Sequence, residues 1–94
     1  MYAITFDIDT SCVDSSSGTS YNAIYSEIRK IMESRGFKWQ QGSTYFGGDK
    51  VNAVSCVLVA QELAKSIPGF QSCVRDIRML RIEEMNDLMP VVRP

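Results

Sequence analysis

The stretch KVNAVSCVLVAQELAKSI, Lys50 to Ile67, decides how this chain folds. Its four valines favour a strand locally. Against that, Ala53, Cys56, Val57, Ala60, Leu63, Ala64 and Ile67 recur at three- and four-residue spacing, and the run closed by Pro68-Gly69 is too long for an ordinary strand. The length and spacing predict a helix with one buried face. Asp49, behind the Gly47-Gly48 break, is its expected N-cap.

Upstream, Phe37-Lys-Trp-Gln and Ser43-Thr-Tyr-Phe46 are short alternating runs around Gln41-Gly42, the pattern of a tight hairpin or a kinked strand pair. Further back, Tyr21, Ile24, Tyr25, Ile28, Ile31 and Met32 mark an amphipathic helix from about Ser20 to Arg35. Thr19 or Ser20 is its expected cap, and Gly36 its left-handed end. At the start of the chain Tyr2, Ile4, Phe6 and Ile8 alternate with Ala3, Thr5, Asp7 and Asp9, so a first strand packs one side and carries small or acidic groups on the other. Thr10 to Ser20, with Val13 its only sizeable aliphatic residue, reads as a loop.

Downstream, Ser72 to Glu84 reads as a strand. Its apolar parity changes at Met79-Leu80, which marks a bulge or a strand covered on both faces. Met85 to Pro94, between prolines, is expected to form at most a short edge strand. The order strand, helix, strand, strand, helix, strand gives an α+β chain with a ferredoxin-like βαββαβ plan and an extra C-terminal segment. Residues 1–94 form one domain in this reading, with two helices on one face of a four-stranded antiparallel sheet. The opposite face is left open in a monomer, a surface for a second copy or a ligand.

Ten Lys and Arg against eleven Asp and Glu give a net charge of −1, so no global basic field draws the chain to nucleic acid and any such binding needs a local patch. There is no histidine, which excludes Ser-His-Asp and Cys-His nucleophile pairs. Cys12, Cys56 and Cys73 are odd in number and widely spaced. They fit neither a disulfide framework nor a zinc site, and a reducing cytoplasm is the simplest setting. No basic leader precedes the first apolar run, and no apolar run approaches membrane-spanning length.

Asp7 and Asp9, on one strand face, are placed to share a hard cation or to meet symmetry mates; equally they suit two solvated acids at a strand end. Arg75, Arg78 and Arg81 recur around Asp76, with Arg75 and Arg81 on one face and Arg78 and Asp76 on the other. Their forked donors match phosphate oxygens, and they match carboxylates on a neighbouring strand just as well. Ser43 and Tyr45 share a face and can hydrogen-bond a ligand, although a serine without histidine is a positioning group more readily than a nucleophile. Trp39, Phe46 and Phe37 suit either core packing or base stacking on an open sheet.

The pieces MYAITFD, YNAIYSEIRKIMESRGF, QGSTY (Gln41 to Tyr45) and SCVRDIR (Ser72 to Arg78), in that order, resemble the virulence-associated protein D family, VapD, of bacterial toxin-antitoxin systems. That family is similar to the CRISPR-associated protein 2 family of ferredoxin-like homodimers, with an aspartate at the end of strand one facing the dimer cleft. The resemblance implies a homodimeric endoribonuclease, the toxin of a pair whose partner is a small antitoxin protein. It implies Asp7 as the catalytic or metal-binding carboxylate, Ser43 beside it at the cleft as a second catalytic candidate, and Arg75 and Arg78 as RNA contacts, to which Tyr45 is added by the strand face it shares with Ser43. A divalent metal, Mg²⁺ or Mn²⁺, would rest on Asp7 of both protomers. Asp9 has no carried-over role. A non-catalytic dimeric scaffold for nucleic acid or protein is the alternative.

Overall fold

The computed structural model describes residues 1–12 and 21–94. Strand β1 (Tyr2–Ile8) leads to helix α1 (Tyr21–Ser34), then β2 (Phe37–Gln41) and β3 (Thr44–Gly47). Helix α2 (Ala53–Ser66), a helical turn α3 (Phe70–Cys73), β4 (Val74–Arg81) and a turn α4 (Met89–Val92) complete the order. The four strands form one sheet in the order β2-β3-β1-β4, antiparallel at every pairing. That is the ferredoxin-like arrangement expected from the sequence.

Alternation along β1 sends Ile4, Phe6 and Ile8 into the helical layer, where α1 contributes Ile24, Ile28 and Met32 and α2 contributes Cys56, Val59 and Leu63. Ile28, Met32, Val59 and Leu63 have no exposed surface, and burying each of them contributes about 1.5–3 kcal/mol. The spacing that identifies α2 as a helix does not fix its buried face. Val59 is core while Val57 is half exposed, because a valine-rich helix is apolar nearly all round.

The cap of α2 differs from expectation. Asn52, not Asp49, accepts from the Ser55 backbone N–H at 2.9 Å, and the Ser55 hydroxyl accepts from the Asn52 N–H, a reciprocal capping box. The chain reaches Asn52 through a close approach at Gly47, where a Cβ would lie 2.6 Å from a Val51 methyl. Gly36 closes α1 with φ of +87°, the left-handed residue expected there. The expected α1 cap, Thr19 or Ser20, lies outside the described residues, as does Val13.

Two further expectations are corrected. Residues 10–12 are helical rather than loop, because Asp9 Oδ1 accepts from the Ser11 and Cys12 N–H groups at 3.0 and 3.2 Å. The C-terminal segment forms no strand: Pro90 sits in the first turn of α4, and Met85, Leu88, Met89, Val91 and Val92 are exposed. Among the described residues no helix is long and apolar enough to cross a membrane.

Candidate active site

The open face of the sheet has an apolar half and a charged half. Ala3, half-buried Phe46 and half-exposed Leu80 lie together through the pairings Ala3↔Phe46 and Ala3↔Leu80. Toward the end of β1 the same face carries Thr5, hydrogen-bonded to Thr44 at 3.3 Å, and then Asp7. Asp7 is exposed because odd-numbered residues of β1 face away from the helices and it lies at the far end of that face from buried Ala3.

Directly across from Asp7, β4 places Asp76. Two carboxylates facing one another on neighbouring strands repel. Arginines compensate both: Arg78 Nε donates to the Asp76 oxygens at 2.9 and 3.1 Å, and Arg75 Nε lies 3.9 Å from Asp7 Oδ2. Simple parity pairs Arg75 with Arg81 on one face and Arg78 with Asp76 on the other. The register shift between Asp7 and Ile8, opposite Val74 to Asp76, instead brings Arg75 to Asp7. The irregularity in β4 therefore lies at its start and not at Met79-Leu80. All four side chains are at least half exposed, so each pair contributes at most about 1 kcal/mol and its partners exchange readily.

The structure brings Asp7, Arg75 and Arg78 together and sets Ser43 and Tyr45 apart from them. Phe6 N–H donates to the Ser43 carbonyl at 3.2 Å, so Ser43 abuts the end of β1. Its hydroxyl, however, lies 2.8 Å from the Tyr25 hydroxyl of α1, on the helical side of the sheet, opposite the Asp7 carboxylate. Tyr45 faces the same side and is 2% exposed, a core residue where a surface contact is expected. Burial pushes its hydroxyl above the usual tyrosine range, although the nearby Arg29 guanidinium acts in the opposite direction. Asp9 does not join Asp7 on a shared face, because β1 ends at Ile8 and the Asp9 carboxylate is spent on capping residues 11 and 12.

The cysteines also depart from expectation. Cys12 and Cys73 form a disulfide, with Cα atoms 5.4 Å apart, while Cys56 is free and buried. This link joins the segment just after Asp7 to the residue before β4. With the hydrogen bond from Asp9 N–H to the Cys73 carbonyl at 2.9 Å, it holds the charged end of the two strands in place.

A hard divalent cation takes six or more oxygen ligands. Asp7 and Asp76 are two carboxylates already compensated by guanidinium groups, and among the described residues no three His, Cys, Asp or Glu side chains gather around one point. A single chain is an incomplete donor set; the residues fit a divalent ion only where a second copy adds its own carboxylates.

The opposition of Asp7 and Asp76 and the Tyr25–Ser43 contact are not visible in the sequence. Parity assigns a residue to a face, but register between strands and the reach of a helix are set by the whole fold.

The family described as CRISPR associated protein Cas2 matches residues 1–89. An endoribonuclease VapD homolog of Helicobacter pylori is 57% identical over 93 residues, covering 99% of this chain and 97% of that protein. Endoribonuclease VapD 2 of Riemerella anatipestifer is 52% identical over 93 residues, covering 98% of this chain and 99% of that protein. Endoribonuclease VapD of Dichelobacter nodosus is 38% identical over 93 residues, covering 99% and 98%. With likeness over nearly its whole length and the ferredoxin-like sheet in place, this chain belongs to the VapD branch of the Cas2 family.

Proposed function

We propose that this protein is an endoribonuclease that cleaves RNA phosphodiester bonds in a cleft between two copies of the chain. The observation that carries the reading is the group on the open sheet face: exposed Asp7 set against Asp76, with the guanidinium groups of Arg75 and Arg78 beside them. The names of the relatives support the choice of RNA. Arg75 and Arg78 leave their exposed carboxylates to hold the scissile phosphate, a partner of matching geometry. Asp7 accepts the proton of the attacking 2′-hydroxyl or water as its oxygen bonds to phosphorus and the P–O5′ bond breaks, the leaving 5′ oxygen taking its proton from solvent water. Ser43 is a positioning residue, holding the end of β1 through its carbonyl and α1 through its hydroxyl. A divalent ion, Mg²⁺ or Mn²⁺, when bound with Asp7 of both protomers, would supply neutralisation of charge on the phosphate.

The dimer is supported by half-exposed Leu80 on this face and by the exposed apolar residues of the C-terminal segment, some of which line a concavity beside Phe46. We place the protein in the cytoplasm as a toxin restrained by a small antitoxin protein, following its resemblance to VapD; in that reducing setting the Cys12–Cys73 pair would stand as two thiols and close only on oxidation. The second reading, a non-catalytic scaffold for nucleic acid or protein, is favoured by the net charge of −1 and by the pairing of both arginines with carboxylates. Cleavage of a labelled RNA by wild type and Asp7→Ala dimers, with Mg²⁺, with Mn²⁺ and with chelator, separates the two. Loss of cleavage in a folded, dimeric variant supports the nuclease. Intact RNA with wild type under every condition moves the scaffold ahead.

A further inference from the structure

A concavity of about 320 Å³ lies on the other side of the sheet, between α1 and the β2–β3 turn. Its walls are Tyr25, Ser26 and Arg29 from α1 and Trp39 and Tyr45 from the hairpin, with Asn22 at the rim. Trp39, the only tryptophan, keeps 43% of its surface exposed. The Arg29 guanidinium sits 4.3 Å from the centre of its ring, and its Nε1–H donates to the Gly42 carbonyl at 2.9 Å. Indole and guanidinium are thus held against one another, partly exposed, without being buried in the core. The exposed side chains of Asn22 and Ser26 at its edge supply both donors and acceptors.

A planar nitrogen heterocycle matches these walls: stacking on indole and guanidinium planes, with its edges read by hydroxyl and amide groups, is how unpaired bases are held. The concavity is linked to the strand that carries Asp7 by a chain of hydrogen bonds. Tyr25, which lines it, is hydrogen-bonded to Ser43, and the Ser43 carbonyl accepts from Phe6, the residue before Asp7. The turn between the two faces is open, since a Cβ at Gly42 would meet nothing within 4 Å.

Resting on the endoribonuclease reading, we propose that this concavity seats one unpaired base of the RNA substrate on Trp39 and Arg29, fixing the strand whose neighbouring phosphate is presented to Asp7. Trp39 emission reports occupancy directly. The probe is a short single-stranded 2′-O-methyl oligonucleotide, which cannot be cleaved through its 2′ oxygen, compared with an abasic strand of the same length and charge. Wild type should be quenched by the first and not by the second. Arg29→Gln, and Ser26→Phe, which fills the concavity from an exposed helix position, should each weaken binding about tenfold or more, the loss of one base stack. Equal quenching by the abasic strand, or unweakened binding by both variants, overturns the proposal. Such a result alongside cleavage by wild type sinks the base pocket alone, whereas base-dependent quenching without any cleavage keeps the pocket and sinks the nuclease.

Discussion

Removing the Cys12–Cys73 link, by reductant or by Cys12→Ala, should lower the thermal midpoint by about 10–20 °C. The two residues are 61 apart in sequence, so the bond closes a loop covering most of the chain. Chain-entropy arithmetic for a loop of that size gives about 4 kcal/mol at room temperature, and residual order in the unfolded chain reduces this to about 2–4 kcal/mol. A domain of 94 residues has an unfolding entropy near ~0.2 kcal/mol per degree, which converts those energies into the stated shift. Cys12 is the better position to change, because Cys73 is 1% exposed and its loss would add a packing defect. Melts are run on oxidised wild type, reduced wild type and the variant, with thiols counted in denaturant. The oxidised chain should show one reactive thiol, Cys56, and the reduced chain three. Reduced wild type and the variant should melt together. Three thiols in unreduced wild type, or one melting point regardless of reductant, would refute the covalent tie.

Asp7→Asn should shift stability by less than about 1 kcal/mol, since it gives up an exposed 3.9 Å ion pair but relieves the repulsion with Asp76, while RNA cleavage falls by about 10²–10⁴; near-normal cleavage removes Asp7 from the chemistry. Tyr45 holds its proton more tightly folded than unfolded, so its contribution is complete below pH 10 and lost as the pH rises through the higher folded value. Denaturant titrations at pH 9 and at higher pH should show Tyr45→Phe losing less stability than wild type on that climb; equal losses would contradict it. Leu80→Lys, on the apolar half of the open face, should yield monomers by size-exclusion chromatography, and an unchanged dimer would place the interface elsewhere. If Arg75 and Arg78 of two protomers make the main phosphate contacts, log K for single-stranded RNA should fall against log salt with a slope near −3, and a slope of −6 or steeper would require contacts beyond them.

The order of elements was legible because it rests on local signals: the alternation of Tyr2 to Ile8, the Ile24-Ile28-Met32 stripe, and a helical run at Lys50 to Ile67 too long for a strand. Asp7 could be placed on an outward face for the same reason. What could not be read depends on pairing between distant segments. Whether Asp76 faces Asp7 depends on the β1–β4 register, and whether Arg75 reaches Asp7 depends on a local shift in it. Three unevenly spaced cysteines gave no hint that two of them meet, because the meeting is made by strands that are adjacent in the sheet and remote in the chain. Asn52 and Ser55 did carry a local capping signal, which the more conspicuous Gly47-Gly48-Asp49 break obscured. Tyr45 was misplaced for a different reason. Parity put it with Ser43 correctly, but which face of the hairpin meets the helices is settled by the core.

A chain of net charge −1 can act on a polyanion if its cations can change partners cheaply. In the free protein Arg75 and Arg78 neutralise Asp7 and Asp76, so the charged end of the open face carries little net field. Because these pairs are exposed, solvent already screens them, and exchanging a carboxylate for a phosphate costs each arginine little. The exchange also has a geometric consequence for Asp7: with Arg75 turned to a phosphate, the Asp7 carboxylate would stand exposed beside the bound strand without its 3.9 Å partner, in the place where the proposed reaction needs an acceptor that a sequence without histidine must find among its carboxylates.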